Sequence, residues 1–148
     1  MTSGTLYRRS AFTLTPDGGN PAGVWIGDQL PDPQTMQRIA AEVGFSETAF
    51  IAPGSGPDRI VRYYSQEAEV AFCGHATIAA GVVLGDLEGD GLYRLATKVG
   101  GVPVTVRTRA GRREASLISV PPTHSAATAD LVSECLSALD WAPDDLNA

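Results

Sequence analysis

The chain has 148 residues, of which 43% are hydrophobic and 19% charged, and its formal net charge is −6 at pH 7. That length suits one domain with a real core, and the acidic balance argues against nucleic-acid binding, which needs a basic face to displace phosphate counterions. No stretch reaches the ~18 to 20 apolar residues of a membrane span, and no apolar segment with a small-residue cleavage site follows the amino terminus.

The elements follow in chain order. "TLYRRSAFTL", Thr5 to Leu14, has strand composition, and "PDGGNPAG", Pro16 to Gly23, is turn chemistry. "AGVWIG", Ala22 to Gly27, is a short β-rich run expected to pair back on the first strand. A helix is then predicted, with Asp32 as its N-cap, Pro33 in the first helical position and Gly44 at its end. Met36, Ile39, Ala40 and Val43 recur at three- and four-residue spacing and bury one face.

"ETAFIAP" and "RIVRYYS" read as strands joined by the loop "GSGPD". That loop lacks the third glycine of a nucleotide fingerprint and does not lead into a helix, so a phosphate cradle is not expected. From His75 to Gly85 or Asp86 the chain is apolar around a whole helical circumference, which places that helix inside the protein.

"LYRLATK", "GVPVTVRT" and "EASLISV" are three further strands. The basic cluster "RTRAGRR", Arg107 to Arg113, is expected at an exposed hairpin tip around Ala110-Gly111 rather than at a phosphate site. Thr128 or Asp130 caps a closing amphipathic helix through Leu131, Cys135, Leu136 and Leu139. Seven strands that mostly follow strands, with one buried and two amphipathic helices, predict an α+β fold: a mostly antiparallel sheet curled around a central helix.

Three stretches carry candidate chemistry, and each also has a purely structural reading. "GGNPAG" is a β-turn, or it presents the Asn20 amide to a cleft. In "GFSETAF", Glu47 stands between Phe45 and Phe50 where helix gives way to strand. It is either a solvated carboxylate or one held partly out of water, where desolvation favours the protonated form and suits proton exchange near neutral pH. In "FCGHATIAAGVVLG", Cys73 and His75 are a buried thiol and a helix-start histidine, or they form the mouth of an anion site. The free N–H groups and positive dipole end of a buried helix suit a carboxylate, and Gly74 admits close approach to the backbone beside Ala76. Anion capture is favoured over a Cys–His catalytic pair, because residues two apart at a helix start are not expected to face one another. Cys73 and Cys135 form no C-x-x-C unit, so reduced thiols in the cytoplasm are expected, and the few histidines and cysteines lack the spacing of a structural metal site.

Taken in order, "GNPAGVWI", "MQRIAAEVGFSETAFI" and "EVAFCGHATIAAGVVL" resemble the PhzF-like isomerases of phenazine biosynthesis, relatives of diaminopimelate epimerase. The likeness runs from about Tyr7 to about Trp141. It implies a two-lobed enzyme without metal or organic cofactor, each lobe a sheet curled round a helix, with the active site between the lobes. It also implies Glu47 as the acid/base and Gly74 and His75 as helix-mouth residues, with His75 contacting substrate. Cys73 falls where the epimerase relatives carry a catalytic cysteine, so it is either a proton-transfer group or a spectator thiol.

The second-lobe motif of that family, Asp-Ala-Thr-Gly-Ser in type, has no counterpart; "AATAD" lacks the glycine. Residues 1–127 are therefore expected to form the first lobe, and residues 128–148 a helix resembling the start of a second.

Two functions follow as expectations. One is an isomerase or epimerase lobe moving a proton on a small carboxylate substrate, with Asn20 positioning the substrate. Its cleft would be completed by a second copy or by a second-lobe polypeptide. The other is a non-catalytic half that binds a small acid or self-associates.

Overall fold

Strands β1 (Gly4–Ala11) and β2 (Asn20–Gly27) pair antiparallel along their full lengths in the computed structural model, which describes residues 3–147. β1 stops short of the expected Leu14 because Phe12 takes a left-handed φ of 61° and turns the chain. Helix α1 (Pro33–Val43) forms as its punctuation dictates. The Asp32 carboxylate accepts the Thr35 N–H at 3.0 Å, Pro33 enters where no N–H is needed, and Gly44 ends the helix at φ 75°.

β3 (Thr48–Pro53), β4 (Asp58–Tyr64), the two-residue β5 (Glu69–Val70) and helix α2 (Gly74–Glu88) follow. Then come β6 (Gly91–Thr97), β7 (Gly100–Arg109), β8 (Arg112–Leu117), helix α3 (Ala129–Leu139) and a 3₁₀ turn, Pro143–Asn147. Among the described residues eight strands stand where the sequence predicts seven, because the two residues of β5 are too few to show a period. The β7–β8 hairpin turns through Ala110 (φ 49°) and Gly111 (φ 74°), the two left-handed positions a tight hairpin needs, as expected for the basic tip.

The sheet runs β1-β2-β3-β4-β6-β7-β8, with β5 added beside β4. It is mostly antiparallel, but β2–β3 and β4–β6 are parallel. Parallel neighbours need a long crossover, and each pair has one: α1 lies between β2 and β3, and α2 between β4 and β6.

The two helices cover opposite faces of the sheet. On one, Val24, Ile51, Val61, Tyr63, Leu95, Val102 and Val104 close around Ala76, Ala80, Val83 and Leu84 of α2. On the other, Trp25, Phe50 and Tyr64 alternate outward and pack on Met36 and Ala40 of α1. Each fully buried Leu, Ile, Val or Phe contributes about 1.5–3 kcal/mol. Gly81 lets α2 lie close on the sheet, since a Cβ there would stand only 2.7 Å from Val104 Cγ1 and 3.0 Å from Ala115 Cβ.

α3 takes Thr128 as its cap. Leu136 is its one buried residue, while Leu131, Cys135, Leu139 and the following Trp141 are exposed, so its apolar stripe faces outward. Among the described residues no helix is long and apolar enough to cross a membrane.

Candidate active site

Three segments meet at one end of the sheet. Thr48, the first residue of β3, lies opposite Gly23 of β2, and the Gly23 N–H donates to the Glu47 carbonyl at 3.1 Å. This backbone bond fixes Glu47 at the strand entry. Strand alternation turns Glu47 to the side of Ala49 and Ile51, which is the side α2 occupies. Phe50 alternates to the opposite face and packs against Trp25 and Tyr64. It does not wall the carboxylate as its place in "GFSETAF" suggests.

Cys73 is the N-cap of α2, with extended backbone at φ −142° and ψ 113° and no side-chain cap bond. That conformation swings its side chain over the first helical turn, and Sγ lies 3.2 Å from Nδ1 of His75. The expectation that residues two apart would not face one another is corrected here: the extended cap residue reverses the usual divergence. On its far edge His75 Nε2 lies 3.5 Å from Glu47 Oε2 and 3.4 Å from Ser46 Oγ. The ring's hydrogen-bond contacts are with Cys73 Sγ through Nδ1 and with Ser46 Oγ through Nε2, while the Glu47 carboxylate stands beside Nε2 in ion-pair contact. The His75 side chain is 10% exposed and that of Glu47 23%, so the cluster sits at the rim of the core with the carboxylate outermost.

Burial pushes the Cys73 thiol up to about 11, and the nearby Glu47 charge adds to the rise, although the Ala76 and His75 N–H groups oppose it. The thiol therefore stays protonated near neutral pH, and the Cys73–His75 contact is not a thiolate–imidazolium nucleophile.

The first backbone bond of α2 is Thr77 N–H to the Cys73 carbonyl, 3.0 Å, so the N–H groups of Gly74, His75 and Ala76 precede the helical ladder. Beneath this mouth lies a buried polar chain. Thr77 Oγ1 donates to the Cys73 carbonyl at 2.6 Å, and the Tyr63 hydroxyl, 2.7 Å away, donates to Thr77. Burial raises the Tyr63 phenol to about 12, which keeps it a donor. Neither Tyr63, Thr77 nor Ser46 was singled out from the sequence. Thr77 left a signal, as one of two polar-bodied side chains opening an otherwise apolar helix.

Asn20 begins β2 opposite Ala11 and is exposed, three residues before the Gly23 that holds Glu47. It shares the strand side of Ala22 and Val24, and among the described residues no hydrogen bond joins it to Glu47, Cys73 or His75. A cleft of about 770 Å³ runs between the β1–β2 loop and Phe45, lined also by Arg8, Thr13, Gly18 and Pro21. It opens two residues from Glu47 along the chain. One ligand atom each from Glu47, Cys73 and His75 lies within 4.8 Å of the others, a set that spacing alone could not reveal because Glu47 arrives from a different element.

The model of the PhzC-PhzF family, described as phenazine biosynthesis-like proteins, matches residues 9–141. YfhB of Bacillus subtilis (strain 168), named an uncharacterized isomerase, is 37% identical over 134 residues, covering 88% of this chain and 45% of the relative. Trans-2,3-dihydro-3-hydroxyanthranilate isomerase of Pseudomonas fluorescens is 33% identical over 132 residues, covering 87% of this chain and 46% of that enzyme. The crystal structure of a PhzF-family phenazine biosynthesis protein from Enterococcus faecalis superposes with a TM-score of 0.66 at 32% identity, over 71% of this chain and 40% of that one. The chain thus spans less than half the length of the curated relatives it matches. The curled α+β sheet around a buried helix is the fold the sequence predicts, and the structure of a predicted epimerase, PA4716 of Pseudomonas aeruginosa, shares it with a TM-score of 0.72 at 24% identity, over 78% of this chain and 42% of that one. By motif order, fold and similarity over residues 9–141, the chain belongs to the phenazine biosynthesis-like PhzC-PhzF family.

Proposed function

We propose that this chain forms one wall of the active cleft of an isomerase that moves a proton on a small carboxylate-bearing substrate. The observation that carries the reading is the convergence of Glu47 and His75 at the open mouth of a buried helix, 3.5 Å apart. Glu47 takes a proton from carbon beside an activating group and returns it to a second position. His75 Nε2 stands 3.5 Å from one Glu47 oxygen, Oε2, and leaves the other free to reach the substrate.

The N–H groups of Gly74, His75 and Ala76 hold the substrate carboxylate, helped by a helix N-terminus that carries roughly half a positive charge. Asn20, on the same sheet end, positions the remainder of the substrate. The facing wall comes from a second copy or a complementary polypeptide. The chemistry needs acid/base groups alone, and the protein operates in the cytoplasm.

A second reading, a non-catalytic half that binds a small acid or self-associates, draws on the exposure of Asn20 and on the outward apolar stripe of α3. Proton exchange separates the two. The purified protein is incubated in deuterated buffer with a panel of small carboxylic acids bearing activated C–H bonds, and deuterium uptake is read by NMR. Uptake into at least one acid supports the isomerase. Amide shifts at Gly74 to Ala76 without any uptake support the binding half.

A further inference from the structure

We infer that Glu47, Cys73 and His75 form a capture site for a zinc-like divalent cation. The argument starts from donor chemistry. A thiol, an imidazole and a carboxylate offer one ligand atom each within 4.8 Å of one another. Three mixed protein ligands with an open fourth position are the donor pattern of catalytic-type zinc sites.

Zinc bond lengths of about 2.3 Å to sulfur and about 2.0–2.2 Å to nitrogen and oxygen place ligand atoms roughly 3.3–3.6 Å apart in a tetrahedron. Cys73 Sγ and His75 Nδ1, at 3.2 Å, already stand close to that separation. Glu47 now stands at Nε2, the other edge of the ring, so to share an ion held by Cys73 Sγ and His75 Nδ1 its 23% exposed side chain turns from that edge onto the ion.

Two further considerations bear on the identity of the ion. The positive end of α2 repels a bare cation, but when the ion displaces the Cys73 proton to solvent the resulting thiolate and the carboxylate bring two negative charges, so a divalent ion leaves the site neutral rather than positive. Magnesium and calcium prefer all-oxygen shells, whereas thiolate with imidazole selects zinc and its borderline-soft neighbours. The positions are also braced from below, since Thr77 Oγ1 and N–H both hold the Cys73 carbonyl.

The ion and the proposed substrate would use the same carboxylate, so zinc would block proton transfer. That consequence rests on the role proposed for Glu47; the metal site itself does not. Cobalt(II) is therefore the first probe, because it reports coordination without any turnover. Added to the reduced wild-type chain, one equivalent should give a thiolate-to-cobalt charge-transfer band and the intense visible spectrum of a four-coordinate ion, both bleached by zinc.

Cys73→Ser should lose the charge-transfer band and Cys135→Ser keep it. Glu47→Gln and His75→Gln should each weaken cobalt affinity about tenfold or more, the loss expected even for outer-shell changes. A six-coordinate spectrum, or a band that persists in Cys73→Ser and vanishes in Cys135→Ser, would overturn the site. Should Cys73→Ser fail to fold, cadmium-113 NMR of the wild-type chain decides. A resonance in the range of one sulfur with nitrogen and oxygen donors supports the site, and one in the all-oxygen range refutes it.

Discussion

Cys73 touches His75, sits in the core and is pushed from an ordinary 9.0 to about 11 by burial. Between those values the folded chain keeps a proton that the unfolded chain has released. The stability from burying the neutral thiol is therefore fully present below pH 9.0 and is lost as the pH rises through about 11. Tyr63, raised from 10.0 to about 12, acts with the same sign over a slightly higher window. Denaturant unfolding should thus show stability falling across this alkaline range, and Cys73→Ala should flatten the part of the fall between pH 9.0 and about 11. An unchanged slope in that variant would mean the thiol is not held neutral. A direct check is alkylation mapped by peptide mass, in which exposed Cys135 should react well before Cys73 as the pH is raised.

At the scale of elements, α2 depends on a polar chain beneath its mouth. Thr77 is fully buried and links the Tyr63 hydroxyl to the Cys73 carbonyl. Thr77→Val keeps the shape and leaves the phenol unpaired, which should cost about 1–3 kcal/mol in denaturant unfolding. A cost near zero would show that the phenol finds another acceptor. Gly81→Ala should also destabilise, by about 1–3 kcal/mol, although alanine is the better helix former, because the added methyl meets the sheet. A gain in melting temperature would contradict that packing.

Much of this layer was legible in the residues themselves. Asp32, Pro33 and Gly44 mark α1 by chemistry that acts locally, and an all-apolar circumference marks α2 as buried. The parallel β2–β3 and β4–β6 pairings were not, since they depend on which face each crossover helix takes. The Cys73–His75 contact also escaped, because it turns on one extended cap residue. Glu47 could be singled out from its motif, but its nearness to His75 is set by a β2–β3 register that no short stretch encodes.

At the scale of the whole molecule, several large apolar groups among the described residues stand exposed. Phe12 and Leu14 on the β1–β2 loop are 72% and 76% exposed, and Leu131, Leu139 and Trp141 of the α3 region are each at least half exposed. The proposed isomerase needs a facing wall, so native mass spectrometry at micromolar protein should reveal a species at twice 15.5 kDa or a complex with a second polypeptide. A lone 15.5 kDa species would favour the acid-binding half. The claim at the centre of this account is that Glu47 carries the proton. It is tested most directly by the rate of deuterium entry into a responsive carboxylic acid, measured side by side for the wild-type assembly and for Glu47→Gln in the same assembly. The account predicts a loss on the order of 10² to 10⁴ in rate, the usual cost of removing a general acid/base. Equal rates in the two proteins would contradict it.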